Sequence, residues 1–310
     1  MRRLFHCSLF TVHCSLLLLF SNNAVAQSDL FAPSPVYNEQ RVKGAVITEV
    51  AVTTVAMIGL NYLWYKKFPH NSFHFFNDNA EWLGIDKAGH VFSAYNIAVI
   101  QNNIMRWGGV SPSNAAWIGT ATSFGIMTMI EVFDGFSTQW GFSKGDMVAN
   151  VGGCLMFQGQ QWMWSEQRIS AKFSYHNTGF AQYYPSELGS NFIERMLKDY
   201  NGQTYWISAN VSSFLSSKSN FPKWLNIAAG CGAEGMIGAR SNPSEMNGQP
   251  IPEFKRYRQF YFSFDTDLYR LNNLSPLATI VLSINRFIKT PSPTIEWNKE
   301  EEMKWFWIYF

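Results

Sequence analysis

Four apolar stretches, each about 20 residues long, follow one another between Gly44 and Trp164. That is about the length at which a helix crosses a bilayer core, and such runs have few other folded outcomes. Helices are expected from Gly44 to about Trp64, Asp86 to Trp107, Asn114 to Phe133 and Ser143 to Trp164. The second carries Gln101, Asn102, Asn103 and Arg106, and the fourth carries Asp146, Asn150, Gln158, Gln160 and Gln161. Those two sit badly against lipid. The expected assembly is a four-helix bundle, either membrane-inserted with its second and fourth helices shielded or leaning on a membrane surface.

From Ala171 the texture changes to short alternating runs broken by Gly, Pro, Asn and Ser. Strands are expected over Gln203 to Val211, Trp224 to Ala229, Gln259 to Leu268 and Leu277 to Ile288, and an amphipathic helix over Ser190 to Tyr200. Gly230 to Gly235 lacks the spacing and lysine of a phosphate loop and reads as a bent, glycine-rich strand or turn. The final Lys304 to Phe310 run has the aromatic character and terminal Phe of an outer-membrane barrel's closing strand. With about six strands in view against the eight such a barrel needs, an aromatic strand packed under a helix is the preferred reading. The fold class is α+β: a helical bundle over 44–168, then a β-rich antiparallel region over 169–310.

Residues 1–26 read as a signal peptide, with Arg2-Arg3, an apolar core and Ala24-Val25-Ala26 before Gln27; residues 27–43 read as a lead-in linker. The formal charge of +2 and the lack of a Lys/Arg run argue against a nucleic-acid partner. Aromatic residues, at 16%, outnumber charged ones at 15%, which suits a membrane lipid or another envelope component as partner, with a protein partner for the β-rich region. Past the expected cleavage point the cysteines are Cys154 and Cys231; export permits a disulfide, although buried free thiols are the commoner state.

The helical half carries a spaced polar set: Asp86-Lys87-x-x-His90, Glu131-x-x-Asp134-Gly135 and Ser143-x-x-Asp146-x-x-x-Asn150-x-x-Gly153. In an antiparallel bundle these three groups fall at one end. Clustered carboxylates repel and call for compensating positive charge, from Lys87, from protonated His90 or from a divalent cation. Asp86, His90, Glu131 and Asp146 are therefore candidate metal ligands and candidate catalytic groups, with Lys87, Asp134, Ser143, Asn150 and Gly153 in support. Plainer readings exist: Asp86 as a helix cap, Ser143 with Asp146 as a capping box, Asp134-Gly135 as a turn and Gly153 as a close-packing position. Glu131 resists them, because it follows an apolar run and has no neighbouring cation in sequence. Glu49 either faces the bundle interior or sits in a polar interface near the start of the first helix, the latter being preferred, and His70 and His74 are assigned to an interfacial aromatic loop.

The three motifs in this order resemble the YfiM-like predicted periplasmic lipoproteins of unknown function and, more distantly, the VanZ-like membrane proteins. The resemblance covers about residues 44 to 165 and implies an envelope-associated helical bundle; it supplies no reaction. The chain departs from it in lacking the lipoprotein cysteine and in its region after Ala171. The expected function is that of an exported envelope protein, periplasmic or outer-membrane associated, whose buried polar site binds a cation or a lipid headgroup. A metal-dependent hydrolase or transferase acting on a lipid-linked or cell-wall substrate is the enzymatic alternative; a structural or assembly factor is the non-enzymatic one.

Overall fold

Local capping chemistry sets the helix ends. In the computed structural model, which describes residues 32–63, 69–246, 248–271, 276–300 and 302–310, helix α1 spans Glu39–Leu63. It starts five residues before the expected Gly44, inside the supposed linker, because the Asn38 side chain accepts the Arg41 N–H at 2.9 Å and acts as the cap. The signal peptide and the start of the linker lie outside the described residues. Helix α2 spans Ile85–Trp107, so Asp86 lies within the first turn, where a carboxylate complements the helix dipole, rather than at the cap. Helix α3 spans Pro112–Gly135, with Ser111 as N-cap and proline in its first turn. Helix α4 spans Lys144–Trp164, capped by Ser143 and closed by Ser165 in the left-handed region at φ 57°.

The chain is α+β and divides into two compact units, residues 1–78 with 93–165 and residues 79–92 with 166–310. In the helical unit, Ser123 on α3 donates its hydroxyl to the Ala94 carbonyl on α2 at 2.6 Å. A side chain at Gly119 would stand 2.6 Å from the Ala98 carbonyl, so glycine permits this close approach. Ala94, Met127 and Cys154 form an apolar centre around that crossing. Much of the remaining interior is polar: Asn96, Gln101, Ser123, Glu131, Asp146, Asn150, Gln158 and Gln160 are all buried, beside apolar residues such as Ile126 and Phe157. Glu49 of α1 is half-buried and hydrogen bonds to Gln101. The outside is apolar, with Ile47, Val50, Trp117, Phe124, Leu155 and Trp162 exposed. Two helical stretches, Glu39–Asn61 and Pro112–Gly135, are long and apolar enough to cross a membrane.

The second unit is built on six antiparallel strands in simple up-and-down order: β1 Ile169–Tyr175, β2 Gln203–Asn210, β3 Leu225–Glu234, β4 Tyr257–Thr266, β5 Ser292–Asn298 and β6 Glu302–Tyr309. The glycine-rich segment belongs to β3, which ends at Gly235 with φ +80°. The strand expected over Leu277 to Ile288 is instead a helix, α6, over Pro276–Ser283 followed by a single 3-10 turn. A short, mainly apolar run carries no clear period to separate helix from strand, and proline suits a first helical turn. The amphipathic helix is shorter than expected, α5 Phe192–Lys198, with Asn191 as its cap.

The sheet is strongly curled. On a flat sheet Thr204 of β2 and Tyr309 of β6 would lie about 19 Å apart, four strand spacings. Their hydroxyls are 3.0 Å apart. Lys172 of β1 likewise reaches Asp265 of β4 at 2.7 Å, and the outer edge of β1 is bridged by Phe173 to Ile288, a few residues before β5. The concave side is polar, carrying Lys172, Ser208, Asn226, Gln259, Ser263, Asp265, Thr294 and Glu296, all buried. Nor is β6 packed under a helix: Trp305 and Trp307 are 51% and 77% exposed. The curl turns a largely polar face inward, so Trp305 and Trp307 face out, while Phe306 and Tyr309 pack inside with Trp206 and Tyr261.

Candidate functional site

Glu131 sits one turn before the end of α3 and is fully buried. Two connecting segments close over that end. The segment 69–78 pairs with 135–143: His74 N–H donates to the Gly135 carbonyl at 2.9 Å, Phe142 N–H donates to the His74 carbonyl at 2.9 Å, and Phe75–Phe76 runs parallel to Phe142–Ser143. A side chain at Gly135 would strike the Phe73 ring at 2.5 Å, so the Asp134-Gly135 pair is both a turn and a seat for an aromatic ring. Phe73, Phe75, Phe136 and Phe142 then pack ring on ring at 5.4 to 5.7 Å. This collar brings Asp78 and Ser143 to the end of α3. His70 and His74 lie in the same loop segment.

Ser143 is the hub. Its hydroxyl accepts the Asp146 N–H at 3.0 Å, the first half of a capping box. In such a box the residue at Asp146's position would take the Ser143 N–H in return; here Glu131, from another helix, accepts it at 3.1 Å. The Ser143 hydroxyl also donates to Asp78 Oδ1 at 2.6 Å. A carboxylate oxygen of Asp146 lies within 4.8 Å of one on Glu131 and of one on Asp78. Asp146 is buried, and Asn150, one turn further along α4, is buried completely. Three carboxylates so close, away from water, require cations or protons to hold them together.

A model of the family described as "predicted periplasmic lipoprotein (DUF2279)" matches residues 74–158. Over that segment the chain is similar to the family. The family segment begins at the aromatic loop and includes Asp78 and every polar motif from Asp86 to Gly153, while the β-rich unit's strands lie beyond it. The family's description as periplasmic supports export to the cell envelope, the location expected from the N-terminal sequence. No curated protein and no solved structure is matched by the chain.

Of the remaining candidates, Asp134 lends its backbone, its carbonyl accepting the Ser137 N–H at 3.0 Å in the turn after α3. Asp86, Lys87 and His90 occupy the first two turns of α2, where Lys87 Nζ donates to Asp86 Oδ2 at 2.8 Å. That part of α2 belongs to the second unit, where Gly89 and Phe92 pack against Tyr205 of β2. Asp78 is a site residue that sequence reasoning missed; its only signal is its place directly after the aromatic loop. Cys154 and Cys231 are both free thiols.

Proposed function

We propose that the helical unit is a four-helix bundle inserted in an envelope membrane, and that its buried carboxylates bind a divalent cation. The exposed apolar faces of α1, α3 and α4 around a polar interior support insertion, since that polarity is the reverse of a water-soluble bundle. The observation that carries the cation reading is the approach of Asp146 to both Glu131 and Asp78 within 4.8 Å. Oxygen-rich sites of this kind suit hard divalent ions. Asp86 and His90 are proposed as further ligands on side-chain chemistry alone, a carboxylate and an imidazole one turn apart on α2.

Metal analysis of the full chain purified in detergent tests this. The reading expects a bound divalent metal that Asp146→Asn loses. A metal-free protein whose melting temperature ignores chelator and added Mg²⁺, Mn²⁺ or Zn²⁺ sinks it. A second reading draws on the Ser143 hub, whose three hydrogen bonds all fix the start of α4: the carboxylates then serve packing alone. Under that reading, substitution changes stability and nothing else.

A further inference from the structure

The β-rich unit is inside out, and the inversion follows strand register. Three outward rows cross the sheet: Ile169, Ala209, Ile227 and Phe264; Ala171, Ile207, Ala229, Phe262, Ile295 and Trp305; and Phe173, Tyr205, Cys231, Phe260, Trp297 and Met303, with the β1 end covered where Phe92 of α2 meets Phe173 and Tyr205. The inward rows between them read Ser208, Ala228, Ser263, Thr294 and Phe306, then Trp206, Gly230, Tyr261, Glu296 and Lys304. Alternation with a period of two thus sorts polar residues in and apolar residues out, which no water-soluble sheet gains from. The inward polar groups are bonded to one another, as in Ser208 to Asp265 at 2.6 Å, Thr294 to Ser263 at 2.8 Å and Gln259 to Glu296 at 3.0 Å.

We propose that this outward face is immersed in the acyl-chain layer of a lipid bilayer. The chemistry of the face selects the occupant. Apart from Tyr205, whose hydroxyl donates to Gln203 at 2.9 Å, its outward rows hold no charged, amide or hydroxyl side chain, and indole N–H groups are its other strong hydrogen-bond donors. A protein partner would ordinarily be met by about one hydrogen bond per 100–200 Å², which this face cannot supply, whereas hydrocarbon asks for none. The two central strands β3 and β4, 10 residues each, match the roughly 9–11 residues with which a tilted strand crosses a bilayer core, while the four flanking strands, of 7 or 8 residues, reach only part of that depth. Charge returns at one rim, where Arg258, Lys255 and Glu300 gather at the start of β4 and the β5–β6 turn. Apolar outside, polar inside and an aromatic last strand are together the polarity of a membrane-facing barrel wall.

The test uses the full chain with Cys7, Cys14, Cys154 and Cys231 each replaced by serine, carrying a nitroxide at Phe262→Cys or Trp305→Cys and reconstituted in phosphatidylethanolamine–phosphatidylglycerol vesicles. Both positions are exposed, so the label displaces no packing; circular dichroism of each labelled protein against its parent confirms folding. Lipid immersion predicts frequent collisions with oxygen and loss of collisions with a water-soluble nickel chelate at both positions, and the opposite at the exposed loop position Lys218→Cys. Access by the nickel chelate at 262 and 305 overturns the proposal. Protection from both reagents also overturns it and assigns the face to protein, with dipolar broadening marking a second copy of this chain. A label at Phe124→Cys on α3 reports the helical unit separately, so an inserted bundle beside a water-exposed sheet is told apart from failure of both.

Discussion

The Ser143 backbone N–H donates to Glu131 Oε2 at 3.1 Å, so a helix start that would ordinarily close on itself is closed by a carboxylate from a different helix. That bond ties the end of α3 to the beginning of α4 and makes Glu131 structural whatever else it binds.

The two roles separate by substitution. Glu131→Gln keeps an oxygen acceptor for the Ser143 N–H and removes the charge; Glu131→Ala leaves that N–H without its partner and opens a cavity. An unsatisfied buried donor costs about 1–3 kcal/mol, so thermal unfolding in detergent should show a clear loss for Glu131→Ala and a small one for Glu131→Gln. Cation binding adds a second signature: Glu131→Gln loses metal while staying folded. Equal melting temperatures for both variants would remove the structural role.

Ser143 itself makes two side-chain bonds, accepting from Asp146 N–H at 3.0 Å and donating to Asp78 at 2.6 Å. Ser143→Ala deletes both, and loss of the cap alone costs about 1 kcal/mol. Ser143→Thr preserves the hydroxyl and should recover most of the lost stability. If both variants melt together below the parent, crowding rather than the hydroxyl is responsible.

How far the sequence carried this structure depends on the element. Helices α2, α3 and α4 were legible because apolar runs of about 20 residues have few alternatives, whereas the start of α1 depended on recognising Asn38 as a cap. Residues 277–288 went to helix because a mainly apolar stretch has no clear period. In β4 the alternation of Phe260, Phe262 and Phe264 with Tyr261, Ser263 and Asp265 gave two faces, but not which one faces inward. That choice belongs to the curl of the whole sheet, through distant pairs such as Thr204 with Tyr309. In the candidate site Glu131 stood out locally as a carboxylate in an apolar helix. Asp78 did not, since only the folded aromatic loop brings it to Ser143.

The interior of the sheet makes its own prediction. Lys172 is fully buried, and its Nζ contacts Asp265 Oδ2 at 2.7 Å and donates to the Thr266 carbonyl at 2.7 Å. Removing one member of a buried pair strands the other, at about 3–5 kcal/mol. Lys172→Met should therefore destabilise the protein severely, while Lys172→Met combined with Asp265→Leu should destabilise it less than the sum of the single changes. A double-mutant cycle by chemical denaturation measures the coupling, and strict additivity would show that the pair does not interact.

Asp199 gives a pH dependence whose sign can be worked out. It lies in the turn between α5 and β2, fully buried, accepting from the Thr178 hydroxyl and from both the side chain and the backbone N–H of Asn201. Burial pushes its carboxyl above the ordinary range, and those hydrogen bonds only partly oppose the shift. The folded state therefore holds this proton more tightly than the unfolded chain does. Its contribution to stability is complete below the unfolded value near pH 4 and is lost as pH rises through the folded value. Asp199→Asn has no such titration, so the melting temperature of the parent should fall relative to that of the variant as pH rises from mildly acidic to neutral. Parallel profiles, or a parent that gains on the variant, would show that the hydrogen bonds from Thr178 and Asn201 outweigh burial and hold the carboxylate ionised.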